Sequence, residues 1–184
     1  MTRMEHQEWL TINYTLPKEP SRARVNAWRK LKKSGAVLLG QSVWVLPMSE
    51  DNEAFMRDLS GGIRRDGGDA YLMKMVPRDE ATSERLVAAF DKARDEEYGE
   101  LIEQSDAFLH ELEVESARRK FTFAELEENE CGFQKLADWH RKITERDFHG
   151  ASLRSSADEK LEECRVRLEA FCAEVYRQND EVPQ

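Results

Sequence analysis

The sequence predicts an α+β fold in which a small mixed α/β part over residues 1–78 is followed by an all-helical part of about three helices over residues 79–184. Three observations predict it. Short runs of period-two hydrophobicity are confined to the first 78 residues. Only helical periodicity follows Pro77. The charge divides at the same place, with 13 Lys+Arg against 9 Asp+Glu in residues 1–78 and a net of -13 in residues 79–184, within a whole-chain charge of -9.

Trp9 to Thr15 alternates, with Leu10, Ile12 and Tyr14 on one face and Thr11, Asn13 and Thr15 on the other, as a half-buried strand does. Pro17 and Pro20 stop it. Ser21 suits an N-cap, Val25, Trp28 and Leu31 recur at helical spacing with Ala27 beside them, and Gly35 supplies a C-terminal stop. Val37 to Leu39 and Ser42 to Leu46 are strand-forming runs around Gly40-Gln41, a hairpin closed by Pro47. A second helix fits Glu50 to Arg65 with Phe55, Met56, Leu59 and Ile63 inward, and Ser60-Gly-Gly62 reads as a loosening within it. Gly67-Gly68 ends it before a strand from Ala70 to Val76. The order βαββαβ is the signature of a ferredoxin-like sandwich, four strands with both helices on one face.

Beyond Pro77 the stripe Leu86, Phe90, Ala93, Leu101, Ser105, Phe108 and Leu112 predicts one long helix from about Asp79 to Lys120, eased at Tyr98-Gly99. Thr122-Phe-Ala-Glu125 is a capping box for a helix with Phe123, Leu126, Phe133, Leu136, Trp139 and Ile143 as its apolar positions. Phe148-His149-Gly150 reads as a connector, and Ser156-Ala-Asp-Glu159 as the capping box of a last helix with Leu161, Cys164, Leu168, Phe171, Cys172 and Val175 inward.

The composition excludes several classes of protein. Three cysteines without a CxxC pair, Cys131, Cys164 and Cys172, do not make a secreted disulfide framework. The first residues lack an apolar signal region, and no stretch has the roughly 18 apolar residues of a membrane span. A cytoplasmic protein with reduced thiols is expected. Cys131, His140, His149, Cys164 and Cys172 have no zinc-site spacing, so no metal or cofactor is expected. His6 in the tail and His110 on a helix flank are expected to be exposed. There is no GxSxG, Walker loop or GxGxxG, and the acids Glu125, Glu127, Glu128 and Glu130 open a helix, where negative charge is stabilising without catalysis.

Positive charge is concentrated in one place. Between Tyr14 and Gly35 there are seven Lys or Arg and one acid, Glu19. At about 100° per residue, Arg22, Arg29 and Lys33 form one stripe of the first helix, with Asn26 and Lys30 beside it and Ala27 and Leu31 opposite. Such a row can follow phosphates, and Lys18, Arg22, Arg29, Lys30 and Lys33 are the expected nucleic-acid contacts. Arg24 and Lys32, four residues either side of Trp28, are expected to cover the indole with their stems. Ser21, Arg22 and Arg24 surround the helix N-terminus, where an oxyanion could dock. The four tryptophans, Trp9, Trp28, Trp44 and Trp139, read first as core anchors, with Trp44 alternatively meeting a second subunit. A competing reading is an amphipathic face docked on carboxylates such as Asp95-Glu96-Glu97, a protein-interaction or dimerisation module without nucleic acid.

Tyr14-Thr-Leu-Pro-Lys-Glu-Pro-Ser-Arg-Ala-Arg-Val-Asn-Ala-Trp-Arg-Lys-Leu-Lys, Gly35-Ala and Val43-Trp-Val-Leu-Pro47 resemble the N-terminal domain of the ChrB family of chromate-resistance regulators. Lys120-Phe-Thr-Phe-Ala-Glu-Leu-Glu-Glu-Asn-Glu130 and Arg146-Asp-Phe-His-Gly-Ala151 continue the resemblance. It implies a DNA-binding transcriptional regulator of chromate response, dimeric, with DNA and a second copy as partners and chromate as an oxyanion to consider. Regulators of this family continue into a second domain, so the resemblance implies a fragment or a free-standing N-terminal domain, and chromate sensing does not follow from it. More distantly, the first strand, basic helix and Val-Trp-Val-Leu-Pro unit are similar to the middle domain of phenylacetate-degradation repressors and to CRISPR adaptation nucleases. Those nucleases place a metal-binding Asp at the end of the first strand. Here the segment reads Asn13-Tyr14-Thr15, so nuclease chemistry is not implied.

Overall fold

The structure is a computed structural model that describes residues 7–19 and 21–180. His6 and Pro20, for which the sequence predicts an exposed tail position and a strand stop, lie outside the described residues. The described residues form a mixed α+β arrangement with a four-stranded antiparallel sheet and five helices. The elements run β1 (Trp9–Thr15), α1 (Ser21–Lys33), β2 (Val37–Leu39), β3 (Val43–Pro47), α2 (Glu50–Arg65), β4 (Asp69–Met75), α3 (Glu80–Ala117), α4 (Phe123–Thr144) and α5 (Arg154–Asp180). Two compact units divide it, Met1–Ala93 and Arg94–Gln184, with the division inside α3.

In the first unit the sheet order is β2-β3-β1-β4, so β1 is central and β4 is an edge. Leu10 and Ile12 lie opposite Leu46 and Trp44, and residues paired across antiparallel strands share a face. All four are buried and form one side of the core, while α2 packs on β1 and β4 and also meets α1. The sequence predicts a half-buried β1, but Trp9 and Thr11 on its other face are buried too. For Trp9 the reason is α3: Phe90, in the helix's first part, stacks on it with centroids 5.2 Å apart. That cover is incomplete. Tyr71 and Met73, paired with Asn13 and Thr11, stay 62% and 53% exposed on β4.

Trp44 is a core side chain at 4% exposure and has no outward face to offer a second subunit. The loosening expected at Ser60-Gly-Gly62 does not occur, because α2 runs unbroken to Arg65. Ser60 is buried there and the Arg65 guanidinium lies over the open space beside Gly61 and Gly62. After α2, Gly67 takes φ +81, and a Cβ on Gly68 would stand 2.2 Å from the Thr15 carbonyl oxygen, so only glycine lets β1 and the α2–β4 turn approach this closely.

In the second unit Tyr98, Leu101, Phe108, Leu112, Leu126, Leu136, Ile143, Cys164, Phe171 and Val175 pack into one core drawn from three helices. Tyr98-Gly99 does not break α3: Tyr98 is fully buried and Gly99 faces Leu153. Thr122 caps α4 as predicted, its hydroxyl accepting the Glu125 N–H at 3.2 Å. Phe123, predicted inward, is 51% exposed and instead meets Tyr176 edge-on. The last helix also differs from the expectation. It begins at Arg154, so Ser156 lies inside it and is not its cap. Carboxylates from elsewhere organise this start: Asp147 accepts the N–H groups of Gly150 and Ala151 at 2.9 and 3.0 Å, and Asp95 of α3 accepts that of Leu153 at 2.8 Å.

Candidate nucleic-acid interface

α1 is anchored by a narrow stripe. Ala27 and Leu31 are buried, Ala23 is half-buried, and every other residue of the helix is exposed. The stripe has the i, i+4, i+8 spacing that keeps side chains on one line of a helix. Two small alanines and one leucine let α1 lie close to its neighbours, and about three-quarters of its circumference faces solvent. At its end Gly35, with φ 82, lets the Ala36 N–H reach the Leu31 carbonyl at 3.1 Å, which stops the helix after Lys32 and Lys33.

Arg22, Arg29 and Lys33 all lie on the exposed side, with Lys30 next to them, and Lys18 is exposed in the β1–α1 connection. Arg24 turns back, its Nη2 donating to the Lys18 carbonyl at 2.9 Å and tying that connection to the helix. Ser21 is the first helical residue and is exposed. Among the described residues none of Lys18, Arg22, Arg24, Arg29, Lys30, Lys32 and Lys33 forms an ion pair, whereas elsewhere in the first unit Arg57 pairs with Glu53 and Lys74 with Glu8. The helix itself carries no acid. On this chain of net charge -9, α1 thus presents a solvent-facing surface on which clustered cations are not locally neutralised by ion pairs among the described residues.

The structure departs from the sequence expectation at Trp28. The indole is 49% exposed and Val25 is 43% exposed, so neither belongs to the core stripe. The spacing 25, 28, 31 turns back about 60° at each step, whereas 23, 27, 31 advances only about 40° and stays within a narrower stripe; apolarity alone made the former look inward. The other three tryptophans do anchor: Trp9 and Trp44 are buried, and Trp139 packs against the helical core.

The acidic run of the second unit is already in use. Arg94, 4% exposed, donates through Nη2 to Glu97 at 3.2 Å, and Arg146 donates to the other oxygen of the same carboxylate at 2.8 Å. Burial lowers the Arg94 pKa from its ordinary value, opposed by Glu97. Tyr98 donates to Asp147 at 3.2 Å, and burial raises its pKa. This cluster was not legible in sequence, where Arg94 looks like any surface cation of a charged helix. Only Glu96 of Asp95-Glu96-Glu97 stays exposed.

Among the described residues no group of three or more His, Cys, Asp and Glu side chains converges on a common point, and no helix is long and apolar enough to cross a membrane. The cysteines are free, with Cys131 exposed and Cys164 buried; burial raises the Cys164 pKa.

Two comparisons bear on the chain as a whole. The family described as "Protein ChrB, N-terminal" matches residues 24–182. Protein ChrB of Cupriavidus metallidurans is 29% identical over 100 residues, which is 54% of this chain and 30% of that protein. The matched stretch thus spans less than a third of the length of this relative. The family match begins after β1 and takes in most of α1, β2 to β4 with α2, and all three later helices, and on that extent the chain belongs to the ChrB family, as a ChrB N-terminal domain.

Proposed function

We propose that this chain is the DNA-contacting part of a cytoplasmic, chromate-response transcriptional regulator, and that α1 is its phosphate-binding element. The observation that carries this reading is the solvent-facing row Arg22, Arg29 and Lys33, with Lys18 and Lys30 beside it, free of ion pairs among the described residues. Clustered like charges repel one another, and a polyanion whose phosphates they neutralise releases its condensed counterions, which favours binding. Family membership supports the regulatory and chromate parts of the reading. The element order βαββαβ and strand order β2-β3-β1-β4 support a ferredoxin-like arrangement of the first unit. These contacts position the protein and carry no sequence information of their own. Four neutralised phosphates give a slope of log K against log salt of about -3.6. Fluorescence anisotropy with a labelled duplex measures it, and absence of binding at low salt rejects the proposal.

A second reading, a dimerisation module without nucleic acid, is favoured by β4. It is an edge strand with Tyr71 and Met73 exposed on one face, and Val76 just past its end is 50% exposed. Edge strands with apolar side chains are templates for pairing with another chain. Sedimentation without DNA tests it: a monomer at tens of micromolar removes this reading, and a dimer that retains DNA joins the two. The oxyanion reading at Ser21, Arg22 and Arg24 fails if isothermal titration with chromate and sulfate gives no heat.

A further inference from the structure

The exposed indole of Trp28 has no role in the phosphate row and none in the core. Taking about 100° per residue and placing Ala27 at the origin, Trp28 and Val25 fall about 100° and 160° around the helix, and Arg29, Arg22 and Lys33 at about 200° to 240°. The outermost line of α1 therefore has an apolar pair on one side and the cationic row on the other. Trp28 makes no ring contact with a described residue, and the Arg24 guanidinium, one turn before it, is held on the Lys18 carbonyl. An aromatic surface of this kind is unusual on a helix whose sequence, Ser-Arg-Ala-Arg-Val-Asn-Ala-Trp-Arg-Lys-Leu-Lys-Lys, is otherwise cationic.

We propose that Trp28, supported by Val25, contacts the bases of the nucleic acid whose phosphates the neighbouring cations hold, and supplies the part of binding that salt does not screen. This rests on the DNA-binding reading above. Charge complementarity narrows the occupant to an anionic partner, and a nucleic acid is the one that also presents base faces and edges beside each phosphate. An apolar protein partner alone would not need five cations beside the contact, and α1 has no acid to pair with a basic one. A nucleic acid offers both features at the spacing of one helix face: phosphates for the row, and for the indole either the face of an unstacked base or an apolar base edge in a groove. The two sources differ in strandedness, which the experiment separates.

The test compares the wild type, Trp28→Ala and Trp28→Phe across a salt series, with one labelled duplex and its single strand. Trp28→Ala is expected to lower affinity about 5- to 100-fold at every salt concentration, leaving the slope unchanged, while Trp28→Phe recovers most of the loss. A larger loss on the single strand identifies base faces, and a larger loss on the duplex identifies groove edges. Iodide quenching gives a second readout, since Trp28 is the most exposed of the four indoles and nucleic acid should shield it. Unchanged affinity of Trp28→Ala overturns the inference and leaves the phosphate reading intact. A changed slope also overturns it, because the indole would then be positioning the cations. If the wild type binds nothing at low salt, the phosphate reading itself fails. Self-association lost in Trp28→Ala without DNA would assign the indole to a protein contact and overturn the proposal.

Discussion

Most arginines of the second unit are engaged with their own chain: Arg94 and Arg146 share Glu97, Arg154 approaches Asp147, Arg167 reaches Glu113, and Arg165 pairs with Glu162 and Glu169, while Arg118 and Arg119, just past the end of α3, stay exposed. On α1, in a shorter span, the cations face solvent and make no ion pair among the described residues. The side chains are the same, and their surroundings differ. The long helices of the second unit present carboxylates three or four residues from most of their arginines or on a facing helix, so most of that charge is consumed where it arises. α1 has no acid in its sequence, and its narrow Ala23-Ala27-Leu31 stripe leaves most of its circumference to solvent. Local neutralisation makes a cation structural, and its absence leaves the cation available to a partner.

Neutralising charge in the two regions should therefore have opposite consequences. Replacing Arg22, Arg29 and Lys33 by Ala together should reduce DNA affinity roughly 10²- to 10³-fold at 0.1 M salt and flatten the salt slope by about 2.7. The same variant should keep its stability within about 0.5 kcal/mol per site. A large drop in Tm would show these cations to be structural and would erase the contrast.

Glu97→Gln is the mirror experiment. It removes the carboxylate that two arginines share, one of them 4% exposed, and leaves a buried guanidinium without its counter-charge. Such losses cost about 3–5 kcal/mol when fully buried, and the partial exposure of Glu97 brings the expectation to about 2–3 kcal/mol in urea unfolding. DNA affinity of the folded variant should not change.

Thr122→Ala tests a smaller, local element of the same unit. Loss of the hydroxyl that accepts the Glu125 N–H should cost about 1 kcal/mol.

The smallest effect concerns Glu115, buried in α3, which accepts from Asn129 at 2.6 Å. Burial raises its pKa, and hydrogen bonding with Glu125 adds to the rise, while a hydrogen bond from Lys120 holds Glu125 below its ordinary value. A raised carboxyl binds its proton more tightly when folded, so its contribution is intact below the ordinary glutamic acid value and is lost as pH rises through the folded value. Glu125 has the opposite sign, and its contribution is lost as pH falls. Glu115→Gln should therefore remove the loss on the alkaline side of the ordinary glutamate range and leave the acid limb, measured as Tm against pH. Unchanged profiles would place Glu115 among the screened acids.

Much of this was written in local sequence. Alternation and turn glycines located β1 and the β2–β3 hairpin, α2 fell on Glu50–Arg65, and the Thr122 capping box placed α4 to the residue, because strand period, glycine φ and cap hydrogen bonds all act within a few residues. The basic island and its cationic row were legible for the same reason. What sequence could not assign was burial among side chains of similar polarity. Trp28 looked like core and is exposed; nothing near Arg94 in the sequence marks it, and it is buried; α5 starts at Arg154 because Asp95, distant in sequence, caps the turn before it. Each of these depends on which elements are neighbours in space. The chain by itself determined where its helices and strands lie and where its positive charge collects, since these follow from near-neighbour chemistry. Only the tertiary structure decided that α1 would be held by three small or aliphatic residues, with its cations and one indole left facing out, because that outcome rests on the shape of the surface against which the helix packs.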